Sequence, residues 1–227
     1  MSVAEVTDVL IVAAHAPELA GLRELIGGQL GGRVADIRIA IEAVGIGLPA
    51  AAVGTVTTVR AHKPSCVVLV GTCGAYDSRG GDLAVAQPVI AKRLHLASTA
   101  AAEERGAFPG PMAVGLDTDV ALTRGLAGET ERRVDVATTL AITTDDVLAT
   151  RVGDAFRCEV EHLEAFAVAS ACARENVPLA VVLAVANRVG SRARDEWRRH
   201  HEAAGKAATD LVADWLRRGA PGAQLRR

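Results

Sequence analysis

Apolar and polar positions along the chain switch between two rhythms. Asp8 to Ala14 (DVLIVAA) is a short apolar run of the kind that forms a buried strand. Pro17 to Ile26 follows with helical spacing, placing Leu19, Leu22 and Ile26 on one face ahead of a Gly-Gly stop. Val34 to Val44 partly alternates, as a half-buried strand does, and Leu48 to His62 is Ala-rich and helical. Cys66 to Val70 (CVVLV) predicts a strand bounded by Pro64 and Gly71. Leu83 to Ile90 predicts another, its end pushed to an edge or bulge by Pro88. Ala97 to Met112, rich in Ala, Gly and Pro, reads as a loop. The pattern then predicts a helix from Asp117 to Leu126 and a strand from Val134 to Thr143. A helix of small residues from Val160 to Asn176 and a wholly apolar strand from Leu179 to Ala186 follow. A long helix from Arg194 to Arg218 carries Trp197, Leu211 and Trp215. Residues 1–219 read as one domain, and the tail at 220–227 is expected to be frayed.

Several predicted strands are continuous apolar runs, and such strands are buried on both faces. Alternating strands and helices of this kind predict an α/β fold, a three-layer αβα sandwich around a mixed, twisted sheet. Half the residues are hydrophobic but only 3% are aromatic, so the core must be built from Ala, Val, Leu and Ile. The formal net charge of −2 excludes a strongly basic nucleic-acid binder, and the hydrophobic content excludes a disordered chain. No stretch is long and apolar enough to span a membrane, and the N-terminus lacks the basic segment of a signal peptide, which points to the cytoplasm. Cys66, Cys73, Cys158 and Cys172 form no C-x-x-C pair. No metal site and no disulfide are expected from them, and Cys66 and Cys172 read as small core residues.

Ligands of open α/β sheets bind at the carboxyl ends of the strands. Four predicted strand ends carry polar or Gly-rich sequence: His15-Ala16-Pro17-Glu18, Gly45-Ile46-Gly47, Gly71-Thr72-Cys73-Gly74-Ala75-Tyr76-Asp77, and Asn187-Arg188-Val189-Gly190. Gly45 to Ala50 also matches G-x-G-x-x-A. A dinucleotide fold would need an acidic residue about 20 positions on, and the chain there reads Ser65 to Val70, with no acid until Asp77. Nicotinamide or flavin binding is therefore set aside, and no cofactor is expected.

Five segments in order resemble the purine nucleoside phosphorylase and nucleosidase family. This family includes methylthioadenosine/adenosylhomocysteine nucleosidase and futalosine hydrolase. The segments are Val44-Gly45-Ile46-Gly47, Gly71-Thr72-Cys73-Gly74-Ala75, Gly81-Asp82-Leu83-Ala84-Val85, Val160-Glu161-His162-Leu163-Glu164-Ala165, and Ala184-Val185-Ala186-Asn187. The resemblance runs from about Asp8 to Trp215. It implies cleavage of the bond between a purine base and a ribose, through an oxocarbenium-like transition state with negative charge growing on the base. It also implies a homo-oligomer.

On this resemblance, Glu164 is the carboxylate that accepts the ribose hydroxyls, and Glu18 the group that positions and deprotonates water. Phosphorylases of the family place an arginine in the loop that holds Glu18, and many place another at the position of Leu69. This chain has neither, and a phosphate dianion without a cation is poorly compensated. Hydrolysis is therefore expected, with phosphorolysis as the alternative and a non-catalytic nucleoside binder as a third reading. Thr72, Cys73 and Gly74, with Gly47, are expected near the ribose and the nucleophile. Val147 and Leu148 are expected to line the base in place of an aromatic residue, and Leu163 to lie under the ribose. His162 stands where the family has a glutamate, and His15 has no clear counterpart. Asn187 takes the place of the base-contacting acid. An amide there is read as suiting a 6-oxopurine, and the run Asn187 to Arg192, with Trp197 beyond, looks most like futalosine hydrolase. The cluster Arg188, Arg192, Arg194, Arg198 and Arg199 reads as a solvated helix face or as an anchor for an anionic substituent.

Overall fold

The apolar runs are buried on both faces because the sheet they form has helices on each side. The computed structural model describes residues 7–128 and 132–225. In chain order its elements are β1 (Val9–Ala13), a 3-10 turn (Ala16–Leu19), α1 (Ala20–Leu25), β2 (Gly31–Val34), β3 (Ile37–Ala43) and α2 (Leu48–His62). Then come β4 (Cys66–Ala75), α3 (Asp77–Gly80), β5 (Pro88–Leu96), α4 (Thr99–Ala102), β6 (Gly115–Asp117) and α5 (Val120–Ala127). The chain closes with β7 (Arg132–Thr138), α6 (Asp146–Phe156), β8 (Val160–Glu161), α7 (Ala165–Arg174), β9 (Leu179–Arg188) and α8 (Ala193–Arg217).

The strands make one mixed sheet in the order β2-β3-β1-β4-β8-β7-β5-β6, with β9 pairing both β4 and β5. Within β1, Val9, Ile11 and Ala13 pack into a core shared with α1, α5 and α8, while Leu10 and Val12 pack into a second core against α2 and α7. The period of two along a strand sends successive side chains to opposite faces, so the fold is the expected αβα sandwich. Trp215 and Leu216 of α8 close one core and Ala165 to Cys172 of α7 the other. A third, smaller cluster beneath α6 is built on Tyr76, Val152 and Cys158. All four cysteines are free and buried. No helix among the described residues is long and apolar enough to cross a membrane.

Several boundaries differ from the pattern. The strand expected at 34–44 forms as β3, and β2 precedes it as the antiparallel partner of a hairpin. The strand expected from Leu83 starts only at Pro88, since proline is tolerated as the first residue of a strand. The helix placed at Asp117 begins after Asp119, whose carboxylate accepts from Leu122 N at 2.9 Å. The helix expected over 160–176 is a short strand followed by α7, and α6 was not anticipated. The end expected to fray folds back instead through residue 225. Ala220 is buried, and Trp215 Nε1 donates to Pro221 O at 3.0 Å. Residues 226–227 lie outside the described chain.

Two changes matter for the site. β4 does not stop at Val70 but runs through Gly71 to Ala75, parallel to β9, which itself extends through Asn187. Their register shifts between Cys73 and Gly74. A bulge of this kind re-aims side chains, and it lies beside Asn187.

Candidate active site

A cleft of about 1290 Å³ opens where β1, β4 and β9 end. Its walls include Glu18, Thr72, Cys73, Gly74, Leu163, Glu164 and Asn187, with His162 among them. Of the residues expected at the base, the ribose or the nucleophile, Gly47, Val147 and Leu148 are not in the lining.

Glu18 is delivered by the 3-10 turn that follows β1. Its Oε2 accepts from His15 N at 3.3 Å, the reach-back of a capping carboxylate. Its Oε1 accepts from Thr72 N at 3.2 Å and from Thr72 Oγ1 at 3.4 Å, tying the turn to β4. Burial pushes the Glu18 carboxyl above its usual range, and the nearby His162 and the bonds from Thr72 and His15 only partly oppose that. A carboxylate with raised proton affinity is suited to act as a base. Among the described residues no Arg or Lys pairs with it.

Glu164 is buried at the start of α7, not within it. Its Oε1 accepts from Gly47 N at 2.8 Å. Gly47 has φ +84°, so the amide reaches the carboxylate through a conformation that favours glycine. Gly47 therefore contributes by holding Glu164, outside the cleft wall. His162, also buried, accepts at Nδ1 from Glu164 N (3.2 Å) and Ala165 N (3.1 Å), and Glu164 Oε2 lies 3.5 Å from the same nitrogen.

Asn187 faces the cleft from β9, its Nδ2 donating to Arg188 O at 2.8 Å. It fits only because position 74 is glycine. A Cβ there would lie 2.8 Å from Asn187 Nδ2 and 2.8 Å from Val189 Cγ2. Thr72 Oγ1 also accepts from Trp197 Nε1 at 3.1 Å. Burial pushes the Cys73 thiol up, so it stays protonated and serves as packing.

Val147 and Leu148, expected beside the base, lie on α6 outside the cleft wall. Val147 is exposed on its first turn, and the Leu148 amide is capped by Asp145 at 2.8 Å while its side chain packs against the third core. Ile142, a few residues earlier, lines the cleft with Ile46. Asp146 fastens this segment to the turn after β9 by accepting from Ser191 N and Oγ at 2.8 and 2.9 Å.

The arginine cluster divides. Arg188 donates to the carbonyls of Gly80, Gly81 and Leu83, so it braces the fold. Arg192 pairs with Glu196. Only Arg194 and Arg198 of the five border the cleft. Trp197 and His201 stack with centroids 4.4 Å apart on the same wall. Their spacing of four on a predicted helix was the available signal for that pair.

The profile of the phosphorylase superfamily matches residues 17–217. A 5'-methylthioadenosine/S-adenosylhomocysteine nucleosidase from Haemophilus influenzae (strain 86-028NP) is 29% identical over 227 residues, spanning 92% of this chain and 97% of its own. In structure, the chain resembles the 5'-methylthioadenosine/S-adenosylhomocysteine nucleosidase from Helicobacter pylori bound to butyl-thio-DADMe-Immucillin-A. The TM-score is 0.82 at 16% identity, covering 93% of this chain and 98% of the other. Futalosine hydrolase of Helicobacter pylori strain 26695 matches with a TM-score of 0.81 at 17% identity, covering 93% and 97%. These structural likenesses speak to the fold, and the profile speaks to descent: this chain belongs to the phosphorylase superfamily.

Proposed function

We propose that this protein hydrolyses the N-glycosidic bond of a purine nucleoside. The observation that carries the reading is Glu18, a carboxylate of raised proton affinity held by Thr72 and His15 in the same cleft as Glu164. Water attacks C1′ as the bond to the base breaks, and its proton passes to Glu18. Glu164 accepts the ribose hydroxyls and stabilises the positive charge growing on the sugar. Asn187 donates a hydrogen bond to the departing base, which takes its final proton from solvent. The products are free base and the unphosphorylated sugar. The absence of an arginine at Leu69, which is buried in the core, favours water over phosphate.

The base is best read as adenine. One N–H of Asn187 is spent on Arg188 O, which leaves one N–H and the carbonyl oxygen for the substrate. The N7 and 6-amino group of adenine match that pair, the familiar two-point fit of an amide to adenine. A 6-oxopurine presents two acceptors to the same edge. The relative at 29% identity is a 5'-methylthioadenosine/S-adenosylhomocysteine nucleosidase, which favours the same base. The second reading is a 6-oxopurine nucleoside such as futalosine. It is favoured by the missing acid at Asn187, since O6 spreads the charge of the leaving base better than an amino group does.

Release of base in phosphate-free buffer tests the reaction. A strict need for phosphate, with ribose 1-phosphate as product, would replace hydrolysis by phosphorolysis. Methylthioadenosine, inosine, guanosine and futalosine, assayed side by side, test the base.

A further inference from the structure

His162 is fixed in one tautomer and aimed at the nucleophile. Its Nδ1 accepts two backbone amides, Glu164 N at 3.2 Å and Ala165 N at 3.1 Å. Both belong to the first turn of α7, where backbone N–H groups lack helical partners. A ring nitrogen that accepts carries no proton, so in the neutral imidazole the proton sits on Nε2.

The Nε2 edge faces Glu18 across Gly71 of β4. An ideal Cβ on Gly71 would lie 3.1 Å from His162 Nε2 and 3.3 Å from Glu18 Oε1. A donor and a carboxylate acceptor therefore converge over one bare glycine, and both line the cleft. Glu164 faces the other ring nitrogen, with Oε2 3.5 Å from Nδ1.

We propose that His162 is a further catalytic residue, whose Nε2–H holds the oxygen of the attacking water while Glu18 takes its proton. The proposal rests on the nucleosidase reading. Water bound this way donates one hydrogen to Glu18 and accepts one from His162. Its remaining lone pair is left for C1′. The bonds balance as in the hydrolysis above, since His162 donates a hydrogen bond and transfers no proton.

Two variants separate the donor from the helix cap. His162→Asn keeps an oxygen near the Nδ1 position, able to cap α7, and lacks the Nε2 donor. His162→Gln places an amide N–H near Nε2 and lacks the cap. The Asn variant should keep the wild-type melting temperature and lose about a hundredfold or more in kcat, the scale for removing one site donor, with KM changed by less than about threefold. The Gln variant should melt lower and retain kcat within about tenfold of wild type. The reverse ranking, Asn active and Gln inactive, would make His162 a cap alone and overturn the proposal. Nitrogen-15 NMR of the wild-type imidazole gives a readout independent of turnover. A protonated Nε2 and bare Nδ1 are expected, and the opposite tautomer overturns the proposal. Failure of the parent reading is distinct, because wild-type protein would then release no base from any nucleoside.

Discussion

Replacing Glu164 with glutamine tests the ribose end of the site. Glu164 Oε1 is anchored by Gly47 N at 2.8 Å. A glutamine will turn its carbonyl to that donor and keep the bond, which forces its NH2 into the place of Oε2. A ribose hydroxyl that donated to Oε2 then meets N–H groups, and the carboxylate charge that opposed the growing oxocarbenium is gone. A charge-assisted hydrogen bond contributes about 1.5–3 kcal/mol. With the lost charge, about 2–4 kcal/mol of transition-state stabilisation should disappear, a fall in kcat/KM of about thirtyfold to a thousandfold. The fold should persist, since the side chain is nearly isosteric and a buried charge is removed. The assay is base release from a ribonucleoside and from its 2′,3′-dideoxy analogue, by wild type and variant. If Glu164 acts through the hydroxyls, much of the penalty should vanish on the dideoxy substrate, which has none to misplace. An equal penalty on both substrates would refute the hydroxyl contact. A fully active variant would remove Glu164 from the site.

Asn187→Asp should raise kcat on an adenine nucleoside by about tenfold or more, because a protonated carboxyl can act as a general acid at N7; parallel rates on adenine and hypoxanthine substrates with the same 5′-group check it. Glu18→Gln should lower kcat by at least about a hundredfold while raising the melting temperature at pH 8. The wild-type carboxyl has its affinity for a proton raised by burial, so its contribution to stability is full below about pH 4.5 and lost as pH rises through the folded-state pKa. Differential scanning calorimetry at pH 5 and 8, beside turnover, reads both. Gly74→Ala should displace Asn187, whose Nδ2 would lie 2.8 Å from the new Cβ, and cut kcat/KM by about tenfold or more; a variant with unchanged kinetics would show that Asn187 does not need its position. Asp8→Asn should cost about 1–3 kcal/mol in urea unfolding, since Asp8 accepts from Arg38 N, Nε and Nη2 at 3.0, 2.9 and 2.8 Å. Arg38 holds the Asp8 carboxyl below its usual 3.8, so this stabilisation is present above that pH and fades as pH falls through the lowered value.

The layer architecture was legible in the chain because it depends on period alone. Runs such as DVLIVAA and LAVVLAVA have no polar face, and only a sheet covered on both sides can hold them. The family was legible as well, since its segments are local words in a fixed order. Element ends were not. Leu83 to Gln87 has the composition of a strand, but that strand begins at Pro88, and pairing to β7 and β9 decides where it runs. The pattern likewise ends the strand at Gly71, whereas five further residue pairings with β9, from Gly71 to Ala75, draw that stretch into β4.

The sequence by itself therefore determined which layers form, which family words are present and which two carboxylates to suspect. Tertiary structure decided which groups meet. Glu18 and Thr72 are 54 residues apart, and Gly47 and Glu164 are 117 apart. Strand register and the turns at strand ends bring such groups into contact, and neither leaves a mark at the residues concerned. The same holds for His162. In the chain it is a departure from a family word. Only the two α7 amides at one ring nitrogen, and a bare glycine under the other, turn it into an oriented donor beside Glu18.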